Sequence, residues 1–477
     1  MRGKRPPYWD ALKRAPTTFL LMLTIAVSTA AQTLHMPPHE KVVLKNGLTV
    51  LLLEKHGVPL INLYAIVKTG SAGDPAGQEG LASITAGLLR KGTKSRTAQQ
   101  FAADLDYIGG AFESEAGADF SSVSTEFLTK DLARGLELLS DTLLHPTFPQ
   151  AEVDKLLAQS VDAVRGAKDD PQQVLGLYYY GYLYGTHPYG RAAGGDELSL
   201  QRIKRDAIVK FYETNYVPGN TLLAVAGELK GAEMRKKLED AFGAWPARAA
   251  APPTIAPTTV VKGKRLLLVD KPDATQTYFA FGNVGIARTD PDRVAIRVVN
   301  TIFGGRFTSE LNEALRVESG YTYGASSFFD ARKAPGPFGI FSFTKNETTT
   351  PAIDLALQVL QKFHKQGVTD EQLKSAKSYI KGQFPPSIET SRQLAQIIAT
   401  HEFYGLGDDE INQLEARVDA LTPEMAKQVI QKHFPAENLV FVLIGKASAI
   451  GASVEKYADK RDARVISEPG FWPPEKQ

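Results

Sequence analysis

Phe211-Tyr212-Glu213-Thr214-Asn215-Tyr216-Val217-Pro218-Gly219-Asn220-Thr221-Leu222-Leu223-Ala224-Val225-Ala226-Gly227 decides the architecture, because its pattern occurs twice in the chain. Val429-Ile430-Gln431-Lys432-His433-Phe434-Pro435-Ala436-Glu437-Asn438-Leu439-Val440-Phe441-Val442-Leu443-Ile444-Gly445 repeats it at an offset of about 220 residues. Each copy reads as the end of a helix, a turn carrying Asn, and an apolar strand closing on Gly. A second pair, 132–144 and 351–363, reads as an amphipathic helix both times. Two copies at so long a period mean a duplicated domain and not a solenoid. Between the halves, residues 245–257 show no periodicity and carry four prolines, the composition of a semi-rigid linker. The predicted layout is a domain over 40–245, a linker over 246–262, a homologous domain over 263–462 and a tail over 463–477.

Working outward through the first half, Val42–Leu44 and Leu48–Leu53 flank Asn46-Gly47, which predicts a hairpin with a type I′ turn. An apolar run over 61–67 and an alternating run over 120–127 predict two more strands. Helices are predicted around 81–89, 98–108, 130–144 and 152–167. Strands mixed with helices and hairpins indicate a layered fold built from both.

The chain has 477 residues and a net charge of +2, with no Lys/Arg-rich run, so composition gives no case for nucleic acid. It has no cysteine, which excludes disulfides, thiolate metal sites and a thiol nucleophile. Arg2, Lys4, Arg5, Lys13 and Arg14 precede an apolar run over 19–27, and small residues follow at 28–31. This order predicts a secretory signal peptide over 1–31 and a periplasmic or secreted protein. No later stretch is apolar for long enough to predict a membrane span.

Gly80-Leu81-Ala82-Ser83-Ile84-Thr85-Ala86-Gly87-Leu88-Leu89-Arg90-Lys91-Gly92-Thr93 has the frame of a zinc-peptidase helix without its chemistry. An inverted zincin helix carries His-x-x-Glu-His, two imidazoles and a general-base carboxylate on one face. Together with Asn46-Gly47-Leu48, Lys68-Thr69-Gly70-Ser71, His187-Pro188-Tyr189-Gly190 and Tyr216-x-Pro218-x-Asn220, the segment resembles the pitrilysin/insulinase family. That family includes the mitochondrial processing peptidase. The resemblance runs from about Val42 to about Gly445. It implies an α+β fold of duplicated α/β-roll domains: two homologous halves, each a mainly antiparallel sheet packed with helices, facing each other across a cavity.

The same resemblance places the family's two zinc histidines at Ser83 and Gly87, its general base at Ala86, and its distant glutamate at Ala163. None of these side chains holds zinc or activates water, so no metal is expected on this chain. The eight histidines supply no substitute. Prolines at 37 and 38 keep His35 and His39 from forming a helical pair, and none of the eight begins a His-x-x-Glu-His.

The second half keeps the family's Arg and Tyr seven positions apart, as Arg316 and Tyr323, with Gly320 between them and a strand predicted over 323–329. In the family this pair binds the substrate backbone and stabilises the tetrahedral intermediate. Water attacking a peptide carbonyl puts negative charge on oxygen, and placed donors share that charge with zinc. The resemblance therefore implies the non-zinc-binding subunit of a heterodimeric metallopeptidase. Arg316 and Tyr323 would be supplied to a zinc-bearing homologous partner, and the substrates would be unfolded peptides. The alternative is a catalytically inactive peptide-binding or scaffold protein of the same fold. Residues 111–115 and 120–127 occupy the position of the family's cavity-edge strands, where an extended peptide adds to a sheet.

Overall fold

The computed structural model describes residues 35–249 and 253–473; the predicted leader over 1–31 lies outside them. No helix among the described residues is long and apolar enough to cross a membrane.

The first half contains β1 (His39–Val43), β2 (Thr49–Glu54), β3 (Leu60–Val67), α1 (Leu81–Leu88), β4 (Ala111–Ala116), β5 (Ser121–Leu128), α2 (Gln150–Ala167), α3 (Pro171–Tyr184) and β6 (Thr221–Gly227). Its sheet runs β1-β2-β6-β3-β5-β4, with only β2 and β6 parallel. The second half contains β7 (Arg265–Asp270), β8 (Gln276–Val284), α4 (Arg293–Phe303), β9 (Ala325–Phe329), β10 (Pro337–Lys345), α5 (Ser391–Tyr404), β11 (Val440–Gly445) and β12 (Lys460–Val465). Its sheet runs β12-β7-β11-β8-β10-β9. The two apolar strands of the sequence duplication, β6 and β11, hold equivalent central places. Each is parallel to the first core strand of its half and antiparallel to the second. Every residue of both strands is buried, which explains why neither alternates in sequence. The outermost strands break the symmetry. β1 arrives antiparallel from a hairpin, whereas β12 arrives parallel from the end of the chain.

The halves interlock by exchanging helices. α3, from the first half, packs on β8 and β11 of the second sheet, and α5, from the second half, packs on β3 and β6 of the first. α3 is apolar on nearly all sides, as a helix buried between layers must be. Its Tyr179 hydroxyl donates to the Phe338 carbonyl at 2.6 Å, and Tyr182 donates to Asp462 at 2.7 Å. Those bonds allow tyrosine, with its polar tip, to line an otherwise dry interface. The segment after β12 closes over α3: Phe471 packs edge-on against Tyr178, and Trp472 against Tyr182. The buried Lys168–Glu197 pair (2.5 Å) holds this segment by its backbone, Lys168 donating to the Glu468 carbonyl and Glu197 accepting from Gly470 N–H.

Two local expectations differ from the structure. Asn46-Gly47 turns the first hairpin, but Asn46 does not have the positive φ that a type I′ turn needs at both central positions. Only Gly47 is left-handed (φ +94°), and Gly47 N–H bonds to the Leu44 carbonyl while Leu44 N–H bonds to the Leu48 carbonyl. That is a three-residue loop with a glycine bulge. The reason is tertiary, since the Asn46 side-chain amide donates to the carbonyls of Phe242 and Trp245 and ties the turn to the end of the first domain. The strand predicted over 323–329 begins only at Ala325, because 319–324 forms a loop folded back onto Leu315.

Candidate functional site

α1 starts at Gly80, whose φ of +96° and close approach to Gly194 and Gly195 leave no room for a side chain. Asp74 accepts from the N–H groups of Gly80 (2.8 Å) and Ala82 (2.9 Å), filling the donors that every helix start leaves open. Burial nevertheless pushes its carboxyl up to about 7, outweighing those two bonds.

Of the four positions that carry zinc chemistry in the family, the three on α1 are occupied by packing. The Ser83 hydroxyl donates to the Ala193 carbonyl at 2.7 Å. Ala86 is fully buried, and its carbonyl accepts from the Ser114 hydroxyl of β4. At Gly87, a Cβ would meet the Leu156 side chain of α2 at 3.2 Å, so an aliphatic group stands against the place of an imidazole. Ala163 is exposed on α2, and Asp162 beside it faces solvent and pairs with Arg165 at 3.6 Å. These residues offer a metal one committed hydroxyl and no nitrogen or carboxylate, so they do not fit zinc. Among the described residues, Asp290, Asp292 and His433 lie close enough together to hold a cation, but far along the chain in the second half. Asp292 there is already engaged by Lys432 (2.7 Å) and His433 (2.8 Å).

Arg316 lies on a short π-type helix, Glu313–Glu318. Its guanidinium sits 4.6 Å over the Phe307 ring and lines a groove of about 690 Å³ with Gln172 and Leu175 of α3, Phe341 and Ser326. Tyr323 is 78% exposed and is not among the groove's lining residues. Its neighbours are tightly held. Thr322 N–H bonds to the Leu315 carbonyl, and the Thr322 hydroxyl both donates to the Gly324 carbonyl and accepts from Gly324 N–H. The loop is thus fixed while the phenol at its tip is free. Phe307 and Val317 are exposed beside Arg316, so its guanidinium stands within an uncovered apolar surface.

The two sheet edges differ. β4 pairs with β5 on one side only. The outer side of β9 is taken: Ser327 N–H bonds to the Gly304 carbonyl, Asn300 donates to the Ser327 carbonyl, and Asn312 accepts from Ala325 N–H. Sequence reasoning missed these asparagine caps because nothing local distinguishes them. It also missed the Asp74 cap and the arginines around α4.

Residues 49–196 match the family Insulinase (peptidase family M16), and residues 202–380 match the Peptidase M16 inactive domain. The chain belongs to the insulinase family. Its fold agrees with a crystal structure described as the peptidase M16 inactive domain from Pseudomonas fluorescens: TM-score 0.81, 26% identity, 86% of this chain and 98% of that one. A protease from Helicobacter pylori shares the fold at a TM-score of 0.80 and 21% identity, over 86% of this chain and all (100%) of that one. The non-peptidase homolog YmxG of Helicobacter pylori is 23% identical over 89% of this chain and 98% of its own length. An uncharacterised zinc protease of Mycobacterium leprae is 26% identical over 83% and 90%. This member is of the inactive, peptidase-like type, and its altered α1 gives the chemical reason.

Proposed function

We propose that this insulinase-family chain is the non-zinc-binding subunit of an exported heterodimeric metallopeptidase. In this reading it supplies Arg316 and Tyr323 to the zinc site of a homologous partner that carries His-x-x-Glu-His. The observation behind the proposal is a contrast within the chain. The metal-binding positions of α1 are filled by packing, whereas Arg316 on its short helix and Tyr323 in its ordered loop have no side-chain hydrogen bond or ion pair among the described residues. A permanent cation with a planar donor fork and a neutral O–H donor are the groups that a developing oxyanion needs. The uncovered surface around Phe307 and Val317 suits burial against a second subunit. The one-sided edge of β4 suits an extended peptide.

The test is reconstitution with a zinc-bearing partner and an unfolded peptide substrate. Arg316→Ala is expected to lower kcat/KM by about 10²–10³ while the pair still assembles. Unchanged activity would leave the chain a scaffold and overturn the reading.

A further inference from the structure

A second cavity of about 690 Å³ lies beneath α4, where the end of α5 leaves the second half. Arg288, Arg293 and Arg297 line it, and Glu410 is the one carboxylate among its lining residues. Glu410 is fully committed. It accepts from Arg293 at 2.8 Å and from Arg417 at 3.0 Å. Burial, then repulsion from Arg417 and Arg288, holds the Arg293 guanidinium below its ordinary range.

Among the described residues, Arg288 and Arg297 have no carboxylate partner. Arg288 Nε is buried without a hydrogen bond among the described residues, and the Arg288 guanidinium lies 6.0 Å from the Tyr404 ring. Arg297 follows Arg293 by one helical turn, is exposed, and makes no side-chain hydrogen bond or ion pair among the described residues. His401 adds a buried, unpaired Nδ1. The remaining wall is largely apolar, including Ile286, Val294, Phe328 and Leu414. Burying Arg288 Nε without an acceptor is costly, and an anion supplied from outside removes that cost, with the solvent-facing Arg297 as a second cation for it. The volume is in the range of small-molecule sites, and apolar walls favour a ligand with an apolar body.

We propose that this cavity binds an organic carboxylate with an apolar body. The carboxylate would bridge Arg288 and Arg297, and the body would lie against the wall beneath α4. A peptide C-terminus ending in an apolar residue and a free medium-chain fatty acid both present this chemistry. The site does not involve Arg316 and does not depend on the presence of a partner subunit.

Calorimetry on the full chain tests it with three probes: N-acetyl-Ala-Ala-Leu as the free acid, the same peptide as the C-terminal amide, and octanoate. The free acid is expected to bind at least about tenfold more tightly than the amide. Arg288→Gln and Arg297→Gln are each expected to weaken carboxylate binding about tenfold or more. Arg297 is exposed, so its variant retains the fold and keeps the test decisive if the Arg288 variant does not. Binding of the peptide acid alone identifies a peptide C-terminus as the source, and binding of octanoate alone identifies a fatty acid. Measurable and equal binding of acid and amide, wild-type affinity in Arg297→Gln for whichever carboxylate binds, or no heat from any carboxylate up to about 10 mM overturns the proposal.

Discussion

Two buried titratable groups act on stability in opposite directions. Asp74 has its carboxyl raised by burial from the ordinary 3.8 to about 7. Its contribution is complete below pH 3.8 and is lost as pH rises towards 7. His401 is lowered from 6.5 to about 4, first by burial and then by Arg288, with Arg293 and His39 adding and Asp408 opposing. Its contribution is complete above pH 6.5 and is lost as pH falls towards 4. Between pH 4 and 6.5 the two slopes oppose each other, each on the order of 3 kcal/mol over its window. Urea midpoints across this range are therefore expected to change little in the native chain. His401→Gln should uncover a midpoint that falls with rising pH, and Asp74→Asn one that rises. Tyr323→Phe is a further residue-scale test, expected to leave folding unchanged because its hydroxyl is exposed and makes no hydrogen bond among the described residues. In a reconstituted pair it should lower kcat while leaving KM nearly constant. The loss of zinc chemistry was legible in sequence, since Ser83, Ala86 and Gly87 name their own chemistry. The Asp74 shift was not, because burial belongs to the surroundings and not to the residue.

At the scale of elements, periodicity located the strands 49–54, 60–67 and 121–128 and the helices 81–88, 98–107, 132–144 and 150–167 to within two residues, but not the helix α3, which is apolar on nearly all sides and so shows no helical period. Other failures were at junctions. Asn46-Gly47 turned the chain by a different turn because Asn46 is bonded to residues about 200 positions away. Gly135 is a second such case. It lies inside the helix Leu132–Leu144, where glycine is normally unfavourable, yet a Cβ there would come within 2.2 Å of the Phe127 ring on β5. Close approach of helix to sheet therefore sets the residue. Gly135→Ala should cost about 1–3 kcal/mol despite its better helix propensity, read as a drop in the thermal midpoint.

At the scale of the whole molecule, the exchanged helices make the two halves one structure. α5 buries Leu394, Ala395, Ile398 and Ala399 against the first sheet, and α3 buries Val174, Leu175, Tyr178, Tyr179 and Tyr182 against the second. Asp119 fastens the join. It accepts from Tyr189 (2.6 Å) in its own half and from Tyr404 (2.9 Å) and Lys333 N–H (2.8 Å) in the other. Asp119→Ala strands the buried Tyr189 hydroxyl and two partly buried donors and should cost about 2 kcal/mol or more. Unfolding of the full chain should be a single transition by near- and far-UV circular dichroism. Residues 35–249 expressed alone leave a sheet face uncovered, and a broad, dye-binding transition is expected in place of a cooperative one.

The duplication and most elements of the first half were determined by the sequence through local periodicity, and the resemblance to the insulinase family implied the α+β class and, at Ser83, Ala86, Gly87 and Ala163, the missing zinc ligands. The exchange of α3 and α5, the asparagine caps on β9 and the arginine-lined cavity under α4 were decided only by tertiary structure. An apolar helix face states that it must be covered but not by which sheet, and an arginine does not record whether its carboxylate is shared. Both depend on which distant segments meet.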